Sequence, residues 1–219
     1  MIYLEETLNI TPASPDIRDD FIKVAQNLLV PACERLGARL VCAWSGHFEW
    51  VMQTIQIFEF DDIEALKKFR INSSQDKEWG KYLAQLEVFA PERRTRLLEP
   101  IGAVPPEILH KAIEESQKSP LKAYSMAILE VNPGKMENII AGLKAGHKVM
   151  PIIASWRPIA GTGSPNQIID LWKGDVLFSA EAMAYRPFSK EQQWVRDLRE
   201  NAPKEKIVAL FSLPYSPLK

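Results

Sequence analysis

Histidine and cysteine are both scarce in this chain: it has 3 His and 2 Cys in 219 residues. Cys33 and Cys42 lack metal-ligand spacing and read as small buried hydrophobes in a reducing compartment. His47, His110 and His147 are too scattered for a metal set, so no metal is expected. No basic block exists either: 27 Lys and Arg against 28 Asp and Glu leave a net charge of −1. The electrostatic footprint of a nucleic-acid binder is therefore missing. No apolar run approaches the roughly 20 residues of a membrane helix, and the start, Met1-Ile2-Tyr3-Leu4-Glu5-Glu6, lacks the basic and apolar regions of a signal peptide. These absences together point to a cytoplasmic protein with no nucleic-acid or membrane partner. There is also no Gly-x-Gly-x-x-Gly, Walker loop or nucleophile elbow. Gly161-Thr162-Gly163-Ser164 precedes a strand instead of a helix and reads as a hairpin. No cofactor is expected.

What the chain does have is an internal repeat, the feature to seek before any local reading. Gln53-Thr-Ile-Gln-Ile-Phe-Glu-Phe-Asp-Asp is echoed 114 residues later by Gln167-Ile-Ile-Asp-Leu-Trp-Lys-Gly-Asp. Gln53 matches Gln167, Ile55 Ile169, Ile57 Leu171, Phe58 Trp172 and Asp61 Asp175. Downstream, Lys77-Glu78-Trp79 is echoed by the segment from Lys190 to Trp194, and Ala90-Pro91-Glu92 by Ala202-Pro203-Lys204.

Hydrophobic content of 46% suits an ordinary globular protein. In the first half, apolar alternation predicts strands over 2–10, 39–45, 52–60 and 93–99. Helical spacing of Ile17, Phe21, Val24 and Leu28 predicts one long helix over 16–36, its last turns bent or interrupted by Pro31 and its end set by Gly37. Two more helices follow, one capped by Asp61-Asp62 and one carrying Trp79, Tyr82 and Leu86. The order β-α-β-β-α-β is the ferredoxin-like plan. The second half repeats it, with strands over 124–131, 152–159, 167–173 and 206–213, and helices over 135–148, within 175–186 and over 190–201. The expected fold is α+β: two tandem ferredoxin-like repeats, 1–101 and 123–219, joined by a connecting helix within 102–122. Their antiparallel sheets would pack face to face as an α/β barrel. A barrel closed within one chain requires no second copy, so monomer and homodimer both remain open.

The Met-Ile-Tyr start, Gly37-Ala38-Arg39-Leu40-Val41-x-x-Trp44, Asn166-Gln167-x-x-Asp170-Leu171-Trp172 and the ending Leu213-Pro214-Tyr215-Ser216-Pro217-Leu218-Lys219 resemble the NIPSNAP family. That resemblance covers both repeats and implies a ferredoxin-like fold of the dimeric α/β-barrel group. Family members commonly carry His where Gln56 and Asp170 stand, so the resemblance brings fold across and little chemistry.

Strand alternation groups the candidate residues. In 52–60, Thr54, Gln56 and Phe58 share one face and Ile55 and Ile57 the other; Ile168, Asp170 and Trp172 are the second-half equivalents. With the aliphatic face assigned to the helices, Gln56, Phe58, Asp170 and Trp172 should look into the barrel. A carboxylate there either argues for a wet or ligand-filled interior, since burying it without partners is costly and desolvation would tune it for acid–base work, or simply hydrogen-bonds backbone or Arg at a sheet end. Tyr3 and Glu5 should share that interior. Arg96 is either an anchor for a substrate carboxylate or the ion-pair partner of Glu5 or Glu99. His47, at a hairpin tip, is either a proton shuttle at the barrel mouth or a solvated loop residue. Trp44 and Trp156 either line a cavity or fill the core. The sequence reading is a protein that binds a small, partly apolar organic ligand and performs cofactor-independent isomerisation, cyclisation or elimination. Asp170 or Glu5 would be the base, with Tyr3 and Arg96 holding oxyanion charge. A cofactor-free monooxygenase and a non-catalytic binding or scaffold module are the alternatives.

Overall fold

The computed structural model describes residues 1–46, 49–121, 123–147, 150–174 and 193–219. Strands alternate with helices as the ferredoxin-like plan requires: β1 (Ile2–Asn9), β2 (Arg39–Gly46), β3 (Gln53–Phe60) and β4 (Glu92–Pro100) in the first half, then β5 (Tyr124–Glu130), β6 (Ile152–Gly161), β7 (Gln167–Lys173) and β8 (Lys204–Ser212). The hydrogen-bonded strand order is a closed barrel, β1-β3-β2-β8-β5-β7-β6-β4. Read around the closure, each half has the same internal order, β4-β1-β3-β2 and β8-β5-β7-β6, so the fold is α+β and antiparallel as expected.

The first helix departs from expectation. It is three pieces: α1 (Ile17–Val24), a π-helical turn (Ala25–Leu29) and α2 (Val30–Leu36). Pro31 has no N–H, and in a regular α-helix its ring would press on the carbonyl of Asn27. One wider turn, in which the Val30 N–H reaches back to the Ala25 carbonyl, removes that conflict without a bend. Gly37, at φ +79°, closes α2 in a left-handed conformation that costs only glycine little. α3 (Ile63–Ser73) and α4 (Lys77–Phe89) begin on side-chain caps, Asp62 accepting from the Ala65 N–H at 2.8 Å and Asp76 from the Trp79 N–H at 2.7 Å.

The chain divides into two compact units, Met1–Leu97 with Ser212–Lys219, and Leu98–Phe211. Two boundaries therefore differ from the repeat pattern. The tail after β8 joins the first unit: the Leu213 N–H donates to the Ala43 carbonyl at 2.9 Å, and the Ala43 N–H to Ser216 Oγ at 2.9 Å. The connecting helix α5 (Pro106–Lys118) belongs to the second unit, burying Leu109 and Ala112. The second unit also holds α6 (Met136–Gly146) and α7 (Gln193–Asn201). The helix expected within 175–186 lies outside the described residues. Among the described residues, no helix is long and apolar enough to cross a membrane.

The duplication reaches down to irregularities. β2 bulges between Leu40 and Cys42, and β6 between Ile152 and Ala154, at matching places in the two copies. Trp44 stands opposite Ile55, and Trp156 opposite Ile169, the repeat partner of Ile55. Gln56 and Asp170 likewise occupy one register position, each three strands wide: Glu6, Gln56 and Ala43 in the first unit, Ala127, Asp170 and Ser155 in the second.

Because Asp62 supplies the side-chain acceptor for the first turn of α3, Asp62→Ala should lower stability by about 1 kcal/mol. Urea denaturation should read this as a reduced midpoint with an unchanged slope.

Candidate functional site

In both units the central strands are buried on both faces; every residue of β3 is buried. The side facing the helices is set by the packing. Leu4, Leu8, Phe58 and Phe60 pack with Phe21, Leu29, Phe69 and Tyr82, and in the second unit Ile168 and Trp172 pack with Ile139, Ile140 and Leu143 of α6. This overturns the expected orientation. Gln56, Phe58, Asp170 and Trp172 face the helices, and the aliphatic Ile55, Ile57, Ile169 and Leu171 face away from them. Two-sided burial is the physical reason: with no wet face, the side towards the helices is set by how the large side chains pack and not by polarity, and the polar residues on either face must find protein partners.

That opposite face carries Tyr3 and Glu5 in the first unit, both buried. Glu5 shares its register position with Ile57 and Cys42. Arg96 on β4 donates from Nε and from Nη2 to the two Glu5 oxygens, each at 2.8 Å. Expected as base and anchor, they satisfy each other as a bidentate pair, with Glu5 3% and Arg96 9% exposed. Tyr3 donates its hydroxyl to Met1 Sδ at 2.9 Å. Trp44 and Trp156 are fully buried. His47 lies outside the described residues.

Asp170 is the acidic residue of the second unit's helix-facing layer, at 1% exposure. Ser155, its register partner on β6, donates to Asp170 Oδ1 at 2.5 Å. Burial pushes the Asp170 carboxyl up to about 7; the Ser155 hydrogen bond pulls it down, and the nearby Glu205 carboxylate on β8 pushes it further up. Ser155 escaped the sequence reading, although its place opposite Asp170 follows once the pairing of β6 and β7 is known.

The first unit holds a second layer of this kind that sequence reasoning missed. Gln56 lies between two hydroxyls: its Nε2 donates to Tyr82 Oη at 3.4 Å, and Tyr215 donates to its Oε1 at 3.3 Å. Glu6, opposite Gln56 on β1, has an Oε2 sealed from solvent with no hydrogen-bond partner among the described residues. Burial raises its carboxyl to about 7, against the lowering pull of Arg93. The one available signal was Glu6 itself, an acid interrupting the apolar side of β1. Among the described residues, no group of acidic, His or Cys side chains is arranged to hold a metal.

No protein-family model matches the sequence, and no curated protein matches it. Solved structures match the fold. A candidate monooxygenase from Lactobacillus acidophilus aligns over 95% of this chain and 92% of its own, with a TM-score of 0.58 and 15% identity. An anthrone oxidase-like protein aligns over 96% of this chain and 90% of its own, with a TM-score of 0.56 and 11% identity. NIPSNAP proteins are among the structural neighbours: a NIPSNAP domain protein from Burkholderia xenovorans covers 48% of this chain and 99% of its own, at a TM-score of 0.43 and 18% identity. The two neighbours that align over nearly the whole chain share its fold, the ferredoxin-like α/β barrel described above.

Two stability measurements test these layers. Arg96→Met should cost about 3–5 kcal/mol by leaving Glu5 buried and unpaired, and the double variant with Glu5→Leu should recover most of that loss. Separately, Glu6 and Asp170 hold their protons in the folded state at a pH where the unfolded chain has released them. Their contribution is full below about pH 4 and is lost as pH rises towards about 7. Glu6→Gln and Asp170→Asn should therefore each flatten the fall in Tm between pH 5 and pH 8, read by thermal scans.

Proposed function

We propose that this chain binds a small, partly apolar organic molecule and performs cofactor-independent proton transfer on it (isomerisation, cyclisation or elimination), with Asp170 as the acid–base group. The single observation behind this reading is the Asp170–Ser155 pair: a buried carboxyl oriented by one short hydroxyl bond and tuned to about 7. A carboxyl in that range exchanges protons in both directions near neutral pH, which is the requirement for general acid–base work. Among the described residues Ser155 engages only Oδ1, so a substrate donor would share the carboxyl through Oδ2, and Trp172 on the same strand face would offer an apolar wall. Trp172 Nε1, buried without a hydrogen-bond partner among the described residues, supplies a donor for a substrate oxygen on which charge develops. The Glu5–Arg96 pair and Tyr3, on the opposite face of the other unit, act in this reading as structure.

Cofactor-free oxygenation is the second reading, favoured by the candidate monooxygenase and the anthrone oxidase-like protein whose folds match nearly the whole chain. It begins with the same step, removal of a proton from an acidic C–H or phenol, so Asp170 keeps its role. An oxygen electrode separates the two: uptake of one O2 per turnover belongs to oxygenation, and none to isomerisation or elimination.

A panel of ketones, enols and phenols in D2O, followed by NMR, should identify compounds that exchange carbon-bound protons only with the protein present. On such a compound Asp170→Asn should fold normally and lower turnover by about a hundredfold or more, the usual scale of one acid–base group. The wild-type rate should rise with a single ionisation near pH 7. Full activity in Asp170→Asn would remove the assignment.

A further inference from the structure

The first unit contains a polar layer that the proposed chemistry at Asp170 does not use. Glu6, Gln56, Tyr82 and Tyr215 come from four separate segments, β1, β3, α4 and the tail, and converge between sheet and helices. Three of the four are satisfied as a chain, from the Tyr215 hydroxyl to Gln56 and from Gln56 to Tyr82. Glu6, opposite Gln56 on β1, is not bonded into that chain: its Oε2 is sealed and unpartnered among the described residues. A buried acceptor left without a donor costs about 1–3 kcal/mol, and more when charged, so a packing role alone would favour an apolar residue at this position.

The surroundings define what would complete it. Phe21, Trp79, Tyr82 and Tyr215 make the layer aromatic, with Phe21 edge-on to Tyr215 at 6.3 Å and Trp79 beside Tyr82 at 5.3 Å. The missing partner is a hydrogen-bond donor. An anion would be repelled by Glu6, and the positive charge of Arg93, which faces Glu6 from β4, opposes a cation. What remains is a neutral, flat molecule with a hydroxyl. The π-helical turn points the same way. Ala25 and Leu29 of that turn are buried in the same core as Tyr82, Tyr215 and Cys33, and π turns inside helices recur at functional sites.

We infer that the helix-covered layer of the first unit is a second ligand site, centred on Glu6 Oε2 and walled by Gln56, Tyr82 and Tyr215, that takes a small neutral molecule bearing a phenolic or enolic hydroxyl. The ligand O–H donates to Glu6, and the Tyr82 hydroxyl, already accepting from Gln56, donates to the ligand oxygen. The site is independent of Asp170, which lies in the other unit. Its occupant should bind better as pH rises through about 7, because the ionised carboxyl is the stronger acceptor. Around Glu6, burial pushes the Cys33 thiol up to about 12 and raises the Tyr82 and Tyr215 hydroxyls above the ordinary phenol value, while Arg93 on β4 is ion-paired with Glu87 of α4. The π turn itself carries no ionisable side chain.

The test uses the full chain and two probes of one shape, p-cresol and toluene, titrated by NMR and calorimetry. Saturable p-cresol binding at pH 8.5, at least tenfold tighter than toluene and several-fold weaker at pH 5.5, is the expected result. Glu6→Gln should erase the hydroxyl preference and its pH dependence while circular dichroism and Tm show an intact fold. Tyr82→Phe, which keeps the ring and removes the donor, should weaken p-cresol several-fold and leave toluene unchanged. In Asp170→Asn the hydroxyl preference that depends on Glu6, and its pH dependence, should persist. Equal affinity for the two probes, an unaltered preference in Glu6→Gln, or loss of p-cresol binding in Asp170→Asn would each overturn the inference; the last would move the phenol to the Asp170 site instead.

Discussion

Two-sided burial of the sheets is the constraint on which the rest of this structure depends. β3 has no exposed residue, and β7 is buried through its centre. A polar side chain on such a strand has no water to turn to, so it must find a protein partner, give up its charge, or await a ligand. Three acids of the barrel strands illustrate these outcomes. Glu5 finds a protein partner, the bidentate guanidinium of Arg96. Asp170 takes a single hydroxyl donor and moves towards the neutral form near pH 7. Glu6 has neither and moves the same way.

The duplication sharpens the comparison because it repeats the backbone, bulge for bulge, while exchanging the chemistry. At one register level the first copy reads Glu6, Gln56 and Ala43, and the second reads Ala127, Asp170 and Ser155. The carboxyl has moved from the first strand of one copy to the third strand of the other, and the polar residue opposite it has changed from an amide to a hydroxyl. Conserving total polarity while relocating it is how one scaffold gives two differently shaped acid–base environments. The aromatic pairs at matched positions, Trp44 with Trp156 and Tyr3 with Tyr124, are by contrast unchanged and fully buried, as expected of residues that fill space.

Helix formation in the first unit shows local and tertiary demands negotiating. Leu29, Ala32 and Cys33 must face the core, while Pro31 forbids a regular turn just before them. A π turn satisfies both, keeping the axis continuous and rotating the apolar stripe by the extra residue it inserts. Period counting alone cannot see this, because Ile17, Phe21, Val24 and Leu28 fit a simple α-helix.

The sequence by itself determined the repeat, the eight strands, the ferredoxin-like order and the pairing of residues on strand faces, because all of these follow from local periodicity and self-similarity. It also singled out Asp170, Glu5 and Arg96 as charged strand residues that alternation turns towards a buried face. Which face meets the helices was decided only by tertiary packing: alternation of period 2 says that Gln56 and Phe58 share a side, but with both sides buried it carries no hydropathy difference to say which. The partners were decided there too. Glu5 meets Arg96 from 91 residues away, and Tyr215 reaches Gln56 from 159, separations over which no local rule operates. The tail, read from the sequence as the end of the second repeat, completes the first unit because its N–H and hydroxyl groups fit the free backbone of Ala43.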